Sequence, residues 1–314
     1  MINFLHTFSP QPILFQFGWL TVYWYGIFIV LGIFAGLLVT RQLAKHLNIS
    51  TDEVYNLVFY LVIFGLLGAR LYAIMLDWPY YFSHPGEMIA VWHGGLAIHG
   101  AIIGGLVTLL IYTFPLTLRQ TQGDTELVER VTPALSRQGR GRDRDFWLWA
   151  DILAVGLPLA QAVGRWGNYF NQEVFGLPTN LPWGIPIQFQ NRPAEYLAQP
   201  YFHPVFLYES VLDGLNFLML LSLFLWVGRN NPASAKASAG KQESRIKNQG
   251  GVVFLLYLIN YSVIRILMEF LRLDSTPAVF GLRWPVLVSG LVIMASLGFL
   301  WRFKLTGRRL RPRS

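Results

Sequence analysis

Apolar residues in this chain come in long runs separated by short polar stretches. They follow neither the alternation of a half-buried strand nor the stripe of a surface helix. An α-helix needs about 20 mostly apolar residues to cross the hydrocarbon core of a bilayer. Seven runs approach or exceed that length, over residues 19–40, 54–76, 90–114, 146–163, 204–227, 251–270 and 284–302. The fourth is short and the sixth carries charge near its end. The pattern predicts an all-α polytopic membrane protein, a single integral membrane domain over 1–314 with seven transmembrane helices. No Asp, Glu, Lys or Arg precedes Arg41, so the first run lacks the basic leader of a cleaved signal peptide and is expected to be a retained span.

The polar stretches are of two kinds. Residues 164–203 hold five prolines, Trp166, Trp183 and several Asn and Gln, the composition of a small irregular cap at the lipid headgroups. Loops 115–145 and 228–250 are instead basic and solvated in character, as are 41–53 and the tail from Arg302. Together these four segments carry 19 of the 25 Lys and Arg, whereas the opposite side carries Arg165, Arg192, Arg272 and Arg283. The positive-inside rule then places the C-terminus in the cytoplasm and the N-terminus and cap outside. Composition agrees: 54% hydrophobic, 13% charged and a mean hydropathy of +0.41 lie far from soluble proteins. The net charge of +8 orients the chain in this reading and does not point to nucleic acid, because no aromatic residues interleave with the basic ones. With no cysteine, the chain has no disulfide, thiolate metal site or cysteine nucleophile of its own.

Against this apolar background the ionisable residues stand out, since each costs roughly 2.5 to 3.5 kcal/mol to place at the centre of a span. His93 and His99 lie in WHGGLAIHGAIIGG, residues 92–105. A small-residue helix interface accounts for the glycines but not for the histidines. In YSVIRILMEFLR, Tyr261, Arg265 and Glu269 recur every four residues with Arg272 close behind, which puts them on one helix face. Charge compensation explains the Arg265–Glu269 pair, though not the whole polar face. In GRWGNYFNQE, residues 164–173, Arg165 sits at the expected outer headgroup level beside Asn168, Asn171 and Glu173. A snorkelling arginine explains less than that set. Tyr25, Arg70 and Glu209 complete the candidates. Arginine forks fit phosphate and histidine exchanges protons near neutral pH, so the set suggests phospholipid recognition with proton removal. A serine-hydrolase elbow, a phosphate-binding P-loop and a metal-ligand spacing are all missing from the sequence. A seven-span transporter is the competing reading; it predicts an internal repeat with broken helices, and no convincing repeat is found.

Six ordered motifs, WYG at 24–26, GARLY at 68–72, HGGLAIHG at 93–100, GRWGNYFNQE at 164–173, HPVFLYE at 203–209 and YSVIRILMEFLR at 261–272, together resemble those of the bacterial prolipoprotein diacylglyceryl transferases. The resemblance implies transfer of the diacylglyceryl group of phosphatidylglycerol to the lipobox cysteine of prolipoprotein signal peptides. The products are a thioether and glycerol 1-phosphate, formed at the outer leaflet of the bacterial cytoplasmic (inner) membrane. It implies that His99, Arg165 and Arg265 are catalytic. It places Tyr25, Arg70, Asn168, Asn171, Glu173, Glu209, Tyr261 and Glu269 on further motif positions, as substrate-binding residues. Phosphatidylglycerol, lipobox precursors and membrane lipids are the expected partners, with no cofactor, no metal and no nucleic acid, and a monomer is expected. Ala101 departs from the family pattern, where a further glycine is usual, and loops 115–145 and 228–250 look long.

Overall fold

A computed structural model describes residues 2–18, 20–113, 146–229, 250–273, 276–279 and 281–309. In chain order the elements are α1 (Ile2–Thr7), β1 (Ile13–Phe17), β2 (Leu20–Tyr23), α2 (Trp24–His46), α3 (Thr51–Leu76), α4 (Trp78–Ser83), α5 (Ile98–Thr113) and α6 (Phe146–Phe170). They continue with β3 (Ile185–Pro186), β4 (Tyr201–Phe202), α7 (Val205–Arg229), α8 (Val252–Glu269), β5 (Ala278–Val279), β6 (Leu282–Arg283) and α9 (Trp284–Arg309). The strands form three separate antiparallel pairs. Helices α2, α3, α6, α7, α8 and α9 are long and apolar enough to cross a membrane, and α5 is a shorter apolar helix. Large apolar side chains such as Val30, Phe34, Phe59, Leu67, Ile111 and Leu291 are exposed. A helix that satisfies its own backbone can present such residues to lipid. The chain is therefore an all-α polytopic membrane protein. It divides into two compact units, Met1–Thr40 with Asp151–Ser314, and Arg41–Ala150.

In the first unit α8 packs on both α7 and α9. Asp151, buried at the start of this unit's second segment, accepts from the backbone amides of Gly251 at 2.7 Å and Phe254 at 2.8 Å, capping the first turn of α8. Small residues bring α2 and α6 together: a Cβ on Gly32 would lie 2.7 Å from the carbonyl of Ala160. The cap has its own apolar core of Leu5, Tyr169, Phe175, Ile185, Ile187, Phe202 and Phe206. Residues near the N-terminus are part of it: Leu5 is buried there, His6 Nδ1 is 2.8 Å from the carbonyl of Gly184, and Gln172 donates to the carbonyl of Pro10 at 3.0 Å. Trp183 donates to the Tyr208 hydroxyl at 2.9 Å, and that hydroxyl is 3.2 Å from His203 Nδ1. Burial pushes the His203 imidazole below its ordinary pKa, which suits a neutral ring accepting from Tyr208.

In the second unit α3 starts at a Ser50 cap, with Asp52 and Glu53 in the first turn where the helix dipole favours them. It then packs along α5. Gly68, Gly100 and Gly104 make this contact backbone to backbone, since a Cβ on Gly68 would meet the carbonyl of Gly100 and one on Gly104 the carbonyl of Phe64.

The element boundaries depart from the apolar runs in three places. The first run opens in a hairpin turned at Gly18, φ +57°, so helix α2 starts only at Trp24. The third run is helical only from Ile98; before it come short 3-10 turns at Pro85–Met88 and Val91–His93 and two glycines with φ of +89° and +68°. Its 16 residues rise about 24 Å, less than the roughly 30 Å of a hydrocarbon core. The fourth run continues as helix to Phe170, so Arg165 and Asn168 belong to α6 and not to an irregular loop. Most of the two long basic loops lies outside the described residues.

Candidate active site

In the first unit three helices present polar residues one turn apart. Arg165 comes from α6, Glu209 and Asp213 from α7, and Tyr261, Arg265 and Glu269 from α8. Each glutamate serves two arginines. Glu209 Oε2 lies 3.0 Å from Arg165 Nε, and its Oε1 lies 3.2 Å from Arg272 Nη1. Glu269 Oε2 lies 2.8 Å from Arg265 Nη1, and its Oε1 lies 2.9 Å from Arg283 Nε. Thr276 also donates to Glu269 at 3.1 Å, and Arg283 donates to the hydroxyl of Thr276 and to the carbonyls of Glu269 and Arg272. Burying an unpaired carboxylate costs several kcal/mol after relaxation, and the double pairing offsets that cost at Glu209 and at Glu269.

The arginines are less enclosed than the carboxylates. Side-chain exposure is 20% for Arg165 and 18% for Arg265, against 2% for Glu209 and for Glu269. Each of these two arginines is held from one edge. Arg165 meets its carboxylates through Nε, and among the described residues its terminal nitrogens make no protein hydrogen bond; Arg265 is held through Nη1. Two tethered guanidinium groups with spare donors are a good match for a phosphate ester.

Around Arg165 the other candidates take shape. Tyr25, at the start of α2, lies against Gly167, where a Cβ would come within 2.8 Å of the ring. Glu173 and Arg165 are the charged groups that act electrostatically on Tyr25. Asn171 donates to Glu173 at 2.9 Å and Asn168 at 3.4 Å, and the backbone turns sharply there through Gln172 and Val174, both with positive φ. Tyr261 stacks on Tyr257 at 6.1 Å between ring centres. Nine of the candidates, Tyr25, Arg165, Asn168, Asn171, Glu173, Glu209, Tyr261, Arg265 and Glu269, thus belong to the first unit.

The remaining two, Arg70 and His99, belong to the second. His99 is the second residue of α5, exposed, with its ring 5.9 Å from that of Tyr72 and no hydrogen bond among the described residues. Arg70 is buried and directs its nitrogens at the backbone carbonyls of residues 87–95. The side chain of His93 lies outside the described residues. An apolar groove of about 850 Å³ runs along α3 and α5 past Tyr72, Gly68, Gly104 and Ile111 to Tyr112.

Sequence reasoning overlooked several participants. Asp213 is 1% exposed, 3.8 Å from Arg165 Nε, with neither carboxylate oxygen accepting a hydrogen bond among the described residues. Its spacing of four from Glu209 was the available signal. Arg283 and Thr276 come to Glu269 from beyond the helix, and no local pattern announces them.

A family model described as prolipoprotein diacylglyceryl transferase matches residues 12–136 and 131–302. A protein of Nostoc sp. is 38% identical over 274 residues, covering 87% of this chain and 82% of its own length. Proteins of Synechocystis sp. and Synechococcus sp. are 37% and 36% identical, covering 95% and 94% of this chain and 91% and 94% of their own. All three carry the name phosphatidylglycerol–prolipoprotein diacylglyceryl transferase.

Proposed function

Since the chain belongs to the prolipoprotein diacylglyceryl transferase family, we propose that it transfers the diacylglyceryl group of phosphatidylglycerol to the lipobox cysteine of prolipoprotein signal peptides. The observation that carries this reading to the residues is the pair Arg165 and Arg265, each tethered on one edge by a buried carboxylate and partly open on the other.

A cysteine thiol with a pKa near 8.5 is only a few per cent thiolate at neutral pH, so a base is needed. His99, exposed and without a hydrogen bond among the described residues, takes that proton. The sulfur attacks the glycerol carbon that bears the phosphate ester. An S–C bond forms, the C–O bond breaks, and its electron pair leaves on the phosphate oxygen as glycerol 1-phosphate. Arg165 and Arg265 bind the phosphate and stabilise the charge that grows on it. Glu209 and Glu269 hold those arginines in place, while Tyr25, Asn168, Asn171, Glu173 and Tyr261 contact the headgroup. The phosphodiester supplies its own leaving group, so the reaction as written calls on no ATP, cofactor or metal.

The setting is the bacterial cytoplasmic membrane, with the N-terminus and the cap 164–203 extracytoplasmic, the C-terminus and loops 115–145 and 228–250 cytoplasmic, and a monomer as the working unit. The lopsided distribution of Lys and Arg supports this orientation. Incubation of the purified protein with phosphatidylglycerol vesicles and a lipobox peptide tests the function. A diacylglyceryl mass increment on the peptide is expected; lipid binding with no modified peptide would favour a lipid carrier or transporter instead.

A further inference from the structure

We propose that Arg70 is a positioning residue that fastens the segment 84–97 against α3 and so sets the place of His99, and that it is not a phosphate ligand. A guanidinium has five N–H donors, and here five carbonyls receive them. Nε donates to Met88 at 3.1 Å, Nη1 to Gly94 at 2.6 Å and Gly95 at 2.8 Å, and Nη2 to Glu87 and to Ala90, the latter at 3.4 Å. The Tyr81 ring covers the guanidinium at 5.1 Å. Arg70 is only 6% exposed, and among the described residues no carboxylate pairs with it. A phosphate could bind only by displacing carbonyls that would then lie buried and unpaired.

The segment is built to receive this side chain. Gly94 and Gly95 both have positive φ, which lets two successive carbonyls face Nη1. A Cβ on Gly95 would come within 2.7 Å of Arg70 Nη1 and 2.6 Å of the Tyr81 hydroxyl. The segment's end is tied to α3 by the Ala97 amide, which donates to the carbonyl of Ala69 at 3.1 Å. Helix α5 begins at the next residue, so His99 follows within two residues of that tie. On its other side Gly100 meets Gly68 backbone to backbone. The backbone that carries His99 is thereby held from both directions.

The functional half of this inference rests on the transferase reading, and the test separates the two. In transfer assays with the full-length protein at varied phosphatidylglycerol content, Arg70→Lys keeps the charge but loses the five-carbonyl grip. We expect kcat to fall about a hundredfold, the scale of a misplaced catalytic group, with KM for phosphatidylglycerol changed less than about twofold. Gly95→Ala attacks the same grip from the segment's side and should give the same split. A wild-type kcat with KM raised about tenfold in Arg70→Lys, or wild-type kinetics in Gly95→Ala, would overturn the proposal. Hydrogen exchange supplies a readout independent of activity. Amides of residues 87–97 should exchange about tenfold faster in either variant while α7 and α8 keep wild-type protection, and unchanged exchange in 87–97 would refute the fastening. Absence of transfer by the wild-type protein would count against the transferase reading and leave the exchange result to judge the fastening alone.

Discussion

Arg165 and Arg265 differ from Arg70 in what their nitrogens have left to do. Arg70 spends every donor on backbone carbonyls, whereas Arg165 and Arg265 are each gripped by a carboxylate at one edge. On that distinction Arg265→Lys should still pair with Glu269 and remain as abundant in the membrane as wild type. Its ammonium lacks a fork for the phosphate, and activity should drop about 10²- to 10³-fold. Product formation and quantitative immunoblotting check both halves, and full activity in the variant would remove Arg265 from the chemistry. His99→Ala should lower single-turnover rates about 10²- to 10⁴-fold at pH 7. At pH 9 the substrate thiol ionises unaided, because its ordinary pKa is near 8.5, so the deficit should shrink. An equal deficit at both pH values would mean that His99 does not remove a proton. The residue types and the turn-by-turn spacing of Tyr261, Arg265 and Glu269 were legible in the sequence. The bridging of Glu209 between Arg165 and Arg272 was not, since Arg272 lies 63 positions away and only tertiary packing brings the two together.

At the scale of elements, length and polarity of the apolar runs indicated the helices because a bilayer leaves the backbone few alternatives. What the runs could not indicate was where the backbone leaves helical geometry while staying apolar. Residues 90–97 are nearly as apolar as a span, yet Pro85, the positive-φ pair Gly94–Gly95 and the pull of Arg70 hold them in an irregular path. The hairpin at 13–23 hides in the same way, being mostly aliphatic and aromatic. The glycines of α5 read in the sequence as a small-residue interface, and the structure gives Gly100 and Gly104 that packing task against α3. Gly104→Leu should therefore separate α3 from α5 and destabilise the protein by about 1 to 3 kcal/mol, the usual range for overpacking. Thermal unfolding in detergent measures this, and an unchanged melting temperature would show that the helices tolerate a wider gap.

At the scale of the molecule, the helices supply an apolar exterior and shelter buried ion pairs that an isolated span would not tolerate. Charge asymmetry along the chain supports the proposed orientation, and a sequence with no cysteine makes that orientation easy to test. A single cysteine at Asn180 should react with a membrane-impermeant maleimide in spheroplasts, while one at Ser238 should react only after the membrane is opened; the reverse pattern would invert the topology. Transfer couples the fates of the two halves of phosphatidylglycerol, so both are followed at once. With the diacylglyceryl group and the headgroup glycerol carrying different labels, one label should appear on the lipobox peptide for each headgroup label released as glycerol 1-phosphate. Neither event should occur with a Cys→Ser peptide. Headgroup release without peptide labelling, or labelling that persists without the cysteine, would contradict it.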